Sequence, residues 1–292
     1  MNQVVLNEPL SQISLLFVSG AMAFIAIALV VFSFQLAKLS SDQSVDSTKL
    51  SNLEKLGFWA LGLGTVVLTV GVVMRGIAAG RVPWANMYEF SISAALLILM
   101  VYLTALKIKD IRYIATFISG FVLVILFAAV SLFYVEVKTL MPALDSYWLV
   151  IHVVVAILAS SFFAIAAGFH IAYLVKNSGF GKKVMNLFPD LDQLERLAYR
   201  FNIVGFVLWS FTLIAGAIWA ERAWHRYWGW DTKEVWTFII WVLYAGYLHA
   251  MATRGWRGAK AAWLGVIAFS AVIFNFTIVN LFFKGLHVYS GL

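Results

Sequence analysis

Apolar residues occur along this chain in long runs, separated by short segments rich in lysine and arginine. Each run has at least the roughly 17 residues that a helix needs to cross the hydrocarbon core of a bilayer. Since backbone polar groups in lipid must be satisfied within each segment, these runs predict helices. The residue-by-residue alternation of a membrane β-barrel is absent. Eight spans are predicted: Leu15–Leu36, Leu56–Val73, Phe90–Leu106, Ile114–Tyr134, Trp148–Val175, Phe201–Ala220, Val235–Met251 and Ala261–Phe283.

Composition supports an all-α integral membrane protein, a polytopic bundle of about eight transmembrane helices with a Trp-rich external segment. Hydrophobic residues make up 63% of the 292 positions and charged residues only 12%, against about 25% charged residues in soluble domains. The first run lacks the Lys/Arg-rich region of a signal peptide, so we expect it to be retained. We divide the chain into residues 1–55, a first transmembrane helix with its loop, and residues 56–292, the membrane domain.

The net charge of +7 is explained by the positive-inside bias of short loops, and it does not indicate nucleic-acid binding. With both termini outside, the inner loops hold fourteen of the 21 Lys and Arg residues and the outer segments hold seven. This orientation predicts a multi-pass protein of the bacterial plasma (inner) membrane, or of the thylakoid membrane if the chain is plastid-derived. Residues 177–200, with the sequence LDQLERLAYR at 191–200, are expected to form a short amphipathic piece on the inner surface.

Candidate chemistry is concentrated in residues 223–236, AWHRYWGWDTKEVW, at the predicted outer face. Two histidines from distant parts of the chain, His152 and His287, fall at the same predicted depth. Because the chain contains no cysteine, metal chemistry falls to histidines or carboxylates, and neutral imidazole is a good axial ligand for haem iron. The residues expected to contact the porphyrin of a haem are Trp224, Tyr227, Trp228, Trp230, Asp231 and Trp236. Those expected to contact its propionates are Arg222, Arg226 and Lys233.

Simpler interpretations of these residues stay open. Tryptophans at a membrane interface are ordinary anchors, and a histidine at a helix end is often only hydrogen-bonded there. If the segment is helical, Trp224, Tyr227, Trp228 and Asp231 share one helical face. His225 is interpreted as a solvated surface residue, with ligation as the alternative.

Two further histidines lie deeper in the predicted membrane. His249 lies fourteen residues into its span, roughly 21 Å from the outer end, where an ionisable residue is a functional hypothesis by default. His170 lies eighteen residues after His152, about five helical turns, so both should point the same way. His170 and His249 form a candidate inner pair. The simpler interpretation of His170 is a side chain reaching the inner boundary near Lys176.

Residues 80–90, GRVPWANMYEF, lie at the predicted outer face after the second span. Asn86 is expected to cap the third helix. A structural role is favoured for this segment, with Tyr88 and Glu89 as lower-ranked candidates to border a haem or its protein acceptor.

Several motifs together resemble one known family. WGWDTKEVW at 228–236, preceded by GAIWAERAW and followed by YAGYLH, is similar to the tryptophan-rich WWD signature of haem-handling proteins, and most of all to the CcsA (ResC) family of the System II cytochrome c synthase. Matching segments are GRVPWANMYE at 80–89, LMPALDSYWLVIHV at 140–153, LERLAYR at 194–200 and LHVYSG at 286–291. His225 and Thr232 depart from the family pattern, in which Gly and Pro are commoner. The resemblance begins near residue 60.

The resemblance implies a haem lyase subunit in cytochrome c biogenesis. It implies that haem b passes from the inner to the outer side and is attached through thioether bonds to a Cys-x-x-Cys-His segment of apocytochrome c. His152 and His287 match the two external haem ligands around the WWD segment at 219–236, and His249 matches a ligand of an inner site. The other inner ligand would come from a ResB/CcsB-like partner, and thiol-reducing proteins are further candidate partners.

Two rival functions fit the same residues. A two-haem b-type electron carrier would use His152 with His287 outside and His170 with His249 inside. A transporter without bound iron would use none of them as ligands.

Overall fold

The computed structural model describes residues 6–41, 50–139, 146–253, 255–283 and 285–286, and this part of the chain contains helices and no strand. Eight helical segments are long and apolar enough to cross a membrane, which confirms the predicted fold class. The helices are α1 (Glu8–Ser41), α2 (Asn52–Ala79), α3 (Met87–Ile108), α4 (Ala115–Leu132, preceded by a 3-10 turn at Arg112–Ile114), α5 (Tyr147–Ser178), α6 (Lys182–Met185), α7 (Leu191–Trp224), α8 (Thr232–Ala252), α9 (Ala259–Phe276) and α10 (Ile278–Phe282).

The long antiparallel spans place two sets of loops at opposite ends of the bundle. We call the end that carries residues 225–231, between α7 and α8, the Trp-rich end. The opposite end carries the α2 N-terminus and the α3 C-terminus, and we call it the Lys-rich end.

Residues 177–200 do not form a separate surface piece, so this expectation is wrong. Only the single turn of α6 is separate, and LDQLERLAYR at 191–200 is the start of α7. Asp190 caps α7 by accepting a hydrogen bond from the Gln193 N–H at 2.6 Å, and no proline interrupts the following 34 residues. The helix is about 51 Å long, so it extends well beyond a hydrocarbon core of about 30 Å.

Small residues allow the helices to approach closely. A Cβ added at Gly64 of α2 would lie 3.0 Å from the Ile25 side chain of α1, and one at Gly205 of α7 would lie 2.6 Å from the ring of Phe163 of α5. The Ser14 hydroxyl donates to the Gly71 carbonyl across the α1–α2 interface at 2.7 Å. Such contacts drive helix association in lipid, because apolar burial gives no preference for protein over acyl chains.

An ion network ties together α1, α2, α3 and the chain after α4 at the Trp-rich end. Arg75 of α2 is fully buried. Its guanidinium donates to the Glu89 carboxylate at 3.1 Å, the Ser11 hydroxyl at 2.8 Å and the Val135 carbonyl at 2.8 Å. The second oxygen of Glu89 accepts from Arg81 at 2.6 Å. Two cations therefore share one buried carboxylate, which fixes the 80–86 turn on the bundle.

This network corrects the assignment of Tyr88 and Glu89 to the haem-binding surface. Both side chains are fully buried, and the Arg75 guanidinium stacks over the Tyr88 ring at 5.0 Å. They anchor the 80–86 turn from its buried side, as the favoured structural interpretation of residues 80–90 predicts. Asn86 is the N-cap of α3, as predicted, since its side chain accepts from the Glu89 N–H at 2.9 Å.

Candidate functional site

Residues 225–231 form a compact turn between α7 and α8, so the shared helical face expected for this segment does not exist. α7 ends at Trp224, and His225 has a left-handed backbone (φ 56°). Trp230 is also left-handed, with φ 60°. Side-chain carbons disfavour this region, so two left-handed non-glycine residues indicate that the surrounding contacts determine the turn.

Two acidic side chains supply those contacts. Asp231 caps α8 by accepting from the Lys233 N–H at 2.9 Å. Glu234 Oε2 reaches back to the N–H groups of Gly229 and Asp231, at 2.8 and 3.0 Å. This reciprocal capping box makes the turn a rigid extension of α8.

Asp231 also ties the C-terminal part of the chain to this turn. Its second oxygen accepts from the backbone N–H of Leu286 at 2.8 Å. Gly285 lies so close to the Asp231 carboxylate that a Cβ there would collide with it. The WWD segment and the chain immediately before position 287 therefore meet at one aspartate.

A cavity of about 630 Å³ lies beneath the turn, enclosed by α3, α4, α5, α7, α8 and α9. Ligand sites commonly have about 300–1,000 Å³. Most of its wall is apolar, and aromatic side chains close the Trp-rich end: Trp84, Phe90, Trp219, Tyr227, Trp228 and Phe276. The cavity suits a large, flat, mostly apolar molecule.

His152 of α5 is the only histidine that lines this cavity in the described part of the chain. Its Nδ1 lies 2.9 Å from the Thr212 carbonyl of α7. A carbonyl oxygen only accepts, so Nδ1 carries the proton and the neutral ring has its lone pair on Nε2. The ring stacks on Trp219, with centroids 6.1 Å apart. This is the tautomer required of an Nε2 metal ligand.

Gly216 of α7 makes room for that ring. A Cβ at this position would lie 2.8 Å from His152 Cε1 and 2.9 Å from Nδ1. The imidazole thus packs directly on the α7 backbone.

A polar cluster lies in the cavity wall where α9 breaks into α10. The ammonium of Lys233 donates to the Asn275 carbonyl at 2.7 Å and to the Asn280 side-chain oxygen at 2.8 Å. Asn275 Oδ1 and Glu234 Oε1 are buried there without a hydrogen-bond partner among the described residues. Buried polar atoms usually have partners, and both of these oxygens are acceptors, so their partners would be hydrogen-bond donors.

The predicted site residues divide into two groups. His152, Tyr227, Trp228 and Lys233 line the cavity. The second group lies outside the cavity wall and consists of Arg222, Trp224, Arg226, Trp230, Asp231 and Trp236.

The excluded residues have other contacts. Arg222 stacks over the rings of Tyr147 and Trp148, at 5.1 and 5.8 Å. Trp224 packs edge-on against Trp219, and Trp236 packs against Phe274. Trp230 is 77% exposed, and its indole packs edge-on against Trp228 with ring centroids 5.9 Å apart.

The Arg226 guanidinium occupies the space that a Cβ of Gly229 would need. It therefore packs against the Gly229 backbone within the turn.

The other histidines are dispersed. His170 is buried, with Nε2 at 2.8 Å from the Asn202 amide and its ring edge-on to Tyr247. His249 follows Tyr247 by two residues, about 200° around α8, and is exposed on the bundle surface. The predicted pair of His170 and His249 is therefore wrong. His170 of α5 packs against the face of α8 that carries Tyr247, and His249 lies on the opposite face of α8.

The simpler interpretation of His170, a side chain reaching toward Lys176, is also not what the structure shows. Lys176 instead donates to the Met185 and Phe188 carbonyls, at 2.6 and 2.8 Å. His225 is exposed at the α7 C-terminus, as expected of a surface residue. His287 lies outside the described residues.

The cavity residues that were not identified from the sequence include two asparagines and two tryptophans. Asn275 and Asn280 are polar positions within an apolar run, which is itself a signal of function in a membrane segment. Trp84 and Trp219 lie in motifs that the sequence analysis noted without assigning the tryptophans to the cavity.

Comparison with known proteins agrees with this arrangement. Residues 84–287 match the family model described as “Cytochrome C assembly protein”. Proteins described as “Cytochrome c biogenesis protein CcsA” are similar: that of Guillardia theta is 32% identical over 84% of this chain and 88% of its own length. That of Prochlorococcus marinus (strain MIT 9303) is 34% identical over 78% of this chain and 82% of its own.

A solved structure described as “Cytochrome c Heme Lyase CcmF” has the same fold, with a TM-score of 0.68 and 16% identity. The match covers 91% of this chain and 46% of that one, so the chain spans about half of the CcmF length. The sequence and the fold agree: this chain belongs to the cytochrome c assembly protein family, in its CcsA branch, and is a multi-pass membrane protein of cytochrome c assembly.

Proposed function

We propose that the chain binds haem in the cavity at the Trp-rich end, with His152 as an iron ligand, and presents it for covalent attachment to apocytochrome c. The observation that carries this proposal is the setting of His152. Its ring lies in the wall of an apolar, aromatic-lined cavity, and the Thr212 carbonyl selects the tautomer with the lone pair on Nε2.

The residues present fit haem in three respects. The volume of about 630 Å³ and the aromatic wall suit a flat macrocycle. His152 supplies an imidazole nitrogen, a common axial ligand of haem iron. Lys233 supplies a half-buried ammonium group at the α9–α10 break, where one propionate would accept a charge-assisted hydrogen bond.

The reaction needs positioning more than acid–base chemistry. In each thioether bond a cysteine S–H adds across a haem vinyl group: the sulfur bonds to one vinyl carbon, the proton goes to the other, and the double bond becomes single. No electron is gained or lost. Tyr227 and Trp230 are 64% and 77% exposed at the turn, so they are suited to contact the incoming Cys-x-x-Cys-His segment. Holding the two reactants together lowers the barrier by prepaying their entropy.

His287 is proposed as the second ligand of this external site. The hydrogen bond between Leu286 and Asp231 supports it, since it ties the preceding residue to the cap of α8. The proposal requires the side chain of His287 to reach the haem from beside the same turn.

His249 is proposed as a ligand of an inner site that a partner completes. Its exposure on α8 supports this, because a ligand on the bundle surface needs its second ligand from another chain. A ResB/CcsB-like membrane protein is the proposed partner. Haem would then pass from the Lys-rich end, proposed to face inside, to the Trp-rich end outside.

The test is maturation of a Cys-x-x-Cys-His reporter in cells that carry this chain and a ResB/CcsB-like protein. We expect His152→Ala, His287→Ala and His249→Ala each to abolish or strongly reduce attachment. His225→Ala is the matched control, since His225 is exposed at the turn between α7 and α8. This variant should mature the reporter normally. Normal maturation by all three variants would disprove the site assignment.

A further inference from the structure

A second cavity, of about 670 Å³, lies at the Lys-rich end, between the first turns of α2 and the link from α3 to α4. It is separate from the cavity of the proposed function and shares no residue with it. Its principal lining residues are Lys55, Phe58, Trp59, Lys107, Lys109 and Arg112.

The charge in this cavity is positive after its own ion pairs are counted. Arg112 donates to Asp110 at 2.8 Å and to Glu54 at 3.3 Å, so the guanidinium is held and neutralised. Hydrogen bonds from Arg112 also hold the pKa of Asp110 below its ordinary value, which keeps that carboxylate ionised. Lys55, Lys107 and Lys109 form no ion pair with any described residue. Among the described residues, four cations against Asp110 and Glu54 leave two positive charges in excess.

The wall beneath these lysines is apolar and continues along the lipid-facing surface of α2. Lys55 and Trp59 are four residues apart and share a face, and Trp59 is 72% exposed. The same stripe continues through the exposed side chains of Leu63 and Val66. The lysines therefore lie at the end of an exposed apolar track that runs along α2, in the direction that an acyl chain takes in a bilayer.

We propose that this cavity binds an anionic phospholipid, with its phosphate among Lys55, Lys107 and Lys109 and an acyl chain along Trp59 and Leu63. Basic cavities between membrane helices bind acidic head groups, and the indole of a tryptophan is favoured at head-group depth. A free phosphate would use the lysines but not the apolar track. The apolar track therefore identifies the ligand as a lipid and not a free phosphate.

The experiment titrates phosphatidylglycerol or phosphatidylcholine onto the delipidated full-length protein and counts bound lipids by native mass spectrometry. The test variant is Lys55→Gln/Lys107→Gln/Lys109→Gln. The matched control is Lys38→Gln/Lys182→Gln/Lys183→Gln, which removes the same charge from exposed lysines at the same end of the bundle. In a second pair of variants, Trp59→Ala is the test and Trp263→Ala is the control, since Trp263 is a tryptophan exposed on α9.

We expect one phosphatidylglycerol to bind far more tightly than phosphatidylcholine. Each surface lysine contributes about fivefold to such binding, so the test variant should bind it about a hundredfold more weakly and the control within about threefold of wild type. Trp59→Ala should weaken binding and Trp263→Ala should not. Equal binding by test and control variants would overturn the proposal. Displacement of the lipid by millimolar inorganic phosphate, or by haem, would overturn the assignment to a lipid.

Discussion

The imidazole of His152 lies directly on the backbone of Gly216, one helix away, where any side-chain carbon would come within 2.8 Å of the ring. Together with the 2.9 Å contact between Nδ1 and the Thr212 carbonyl, this fixes the ring on two sides. The orientation of the proposed ligand thus depends on α7 as much as on α5.

Gly216→Ala should therefore displace the His152 ring and weaken haem binding without unfolding the protein. The added methyl group must push the imidazole, because the contact is with a ring held in place and not with a flexible chain end. The change is measured by the haem-to-protein ratio of the purified chain. Gly62→Ala is the control, since a Cβ there meets nothing within 4 Å, and it should keep the wild-type ratio. Equal ratios for both variants would show that Gly216 does not position His152.

Asp231→Asn should separate the two roles of this aspartate, which are to cap α8 and to accept the hydrogen bond from Leu286. Asparagine caps helices about as well as aspartate, so the free energy of unfolding should change by less than about 1 kcal/mol. The amide nitrogen that replaces one oxygen cannot accept from the Leu286 N–H, which loses its partner.

We expect reporter maturation to fall severalfold in Asp231→Asn while the melting temperature changes little. Asp190→Asn alters the equivalent cap of α7 and should mature the reporter like wild type. If Asp231→Asn does the same, then Leu286 need not be tied to the turn for activity.

Lys233→Gln should weaken binding of haem but not of its dimethyl ester, whose propionates carry no charge. Hydrogen bonds to charged groups contribute about 1.5–3 kcal/mol, so the affinity for haem should drop about ten- to a hundredfold. Haem titration monitored by absorbance measures both constants. Arg222→Gln is the control, because Arg222 stacks on Tyr147 and Trp148 away from the cavity. An equal loss of affinity for haem and for its dimethyl ester would indicate damage to the cavity and not loss of a propionate contact.

Glu89→Gln should destabilise the protein, because it leaves Arg75 and Arg81 without their shared carboxylate. Breaking a buried ion pair on one side costs about 3–5 kcal/mol, and thermal unfolding in detergent should occur at a clearly lower temperature. Asp110→Asn removes one partner of the partly exposed pair with Arg112 and should cost no more than about 1 kcal/mol. Similar melting temperatures for the two variants would contradict a structural role for Glu89.

The spans, the family and the position of His152 near the Trp-rich end could be predicted from the sequence, because each depends on local pattern or on distinctive motifs. The eight spans follow from apolar length, and the Asn86 cap follows from residue type at a helix start. The start of α7 was missed because an amphipathic stretch before an apolar run looks the same whether it ends at the membrane or continues into it.

The details of the cavity wall could not be predicted, because they depend on where helices meet. The turn at 225–231 has two left-handed residues, His225 and Trp230, that no helical periodicity describes. The contact between Lys233 and Asn280 joins α8 to α10, and no spacing along the chain encodes it. The separation of His170 from His249 likewise depends on which face of α8 is buried.

The most direct test of the account is the visible absorption spectrum of the purified chain after haem-sufficient expression. We predict a Soret band in the wild-type protein, its loss or marked shift in His152→Gly, and its restoration when imidazole is added to that variant. His225→Gly should retain the wild-type spectrum. No Soret band in the wild-type protein, or an unchanged band in His152→Gly, would contradict the assignment of His152 as a haem ligand.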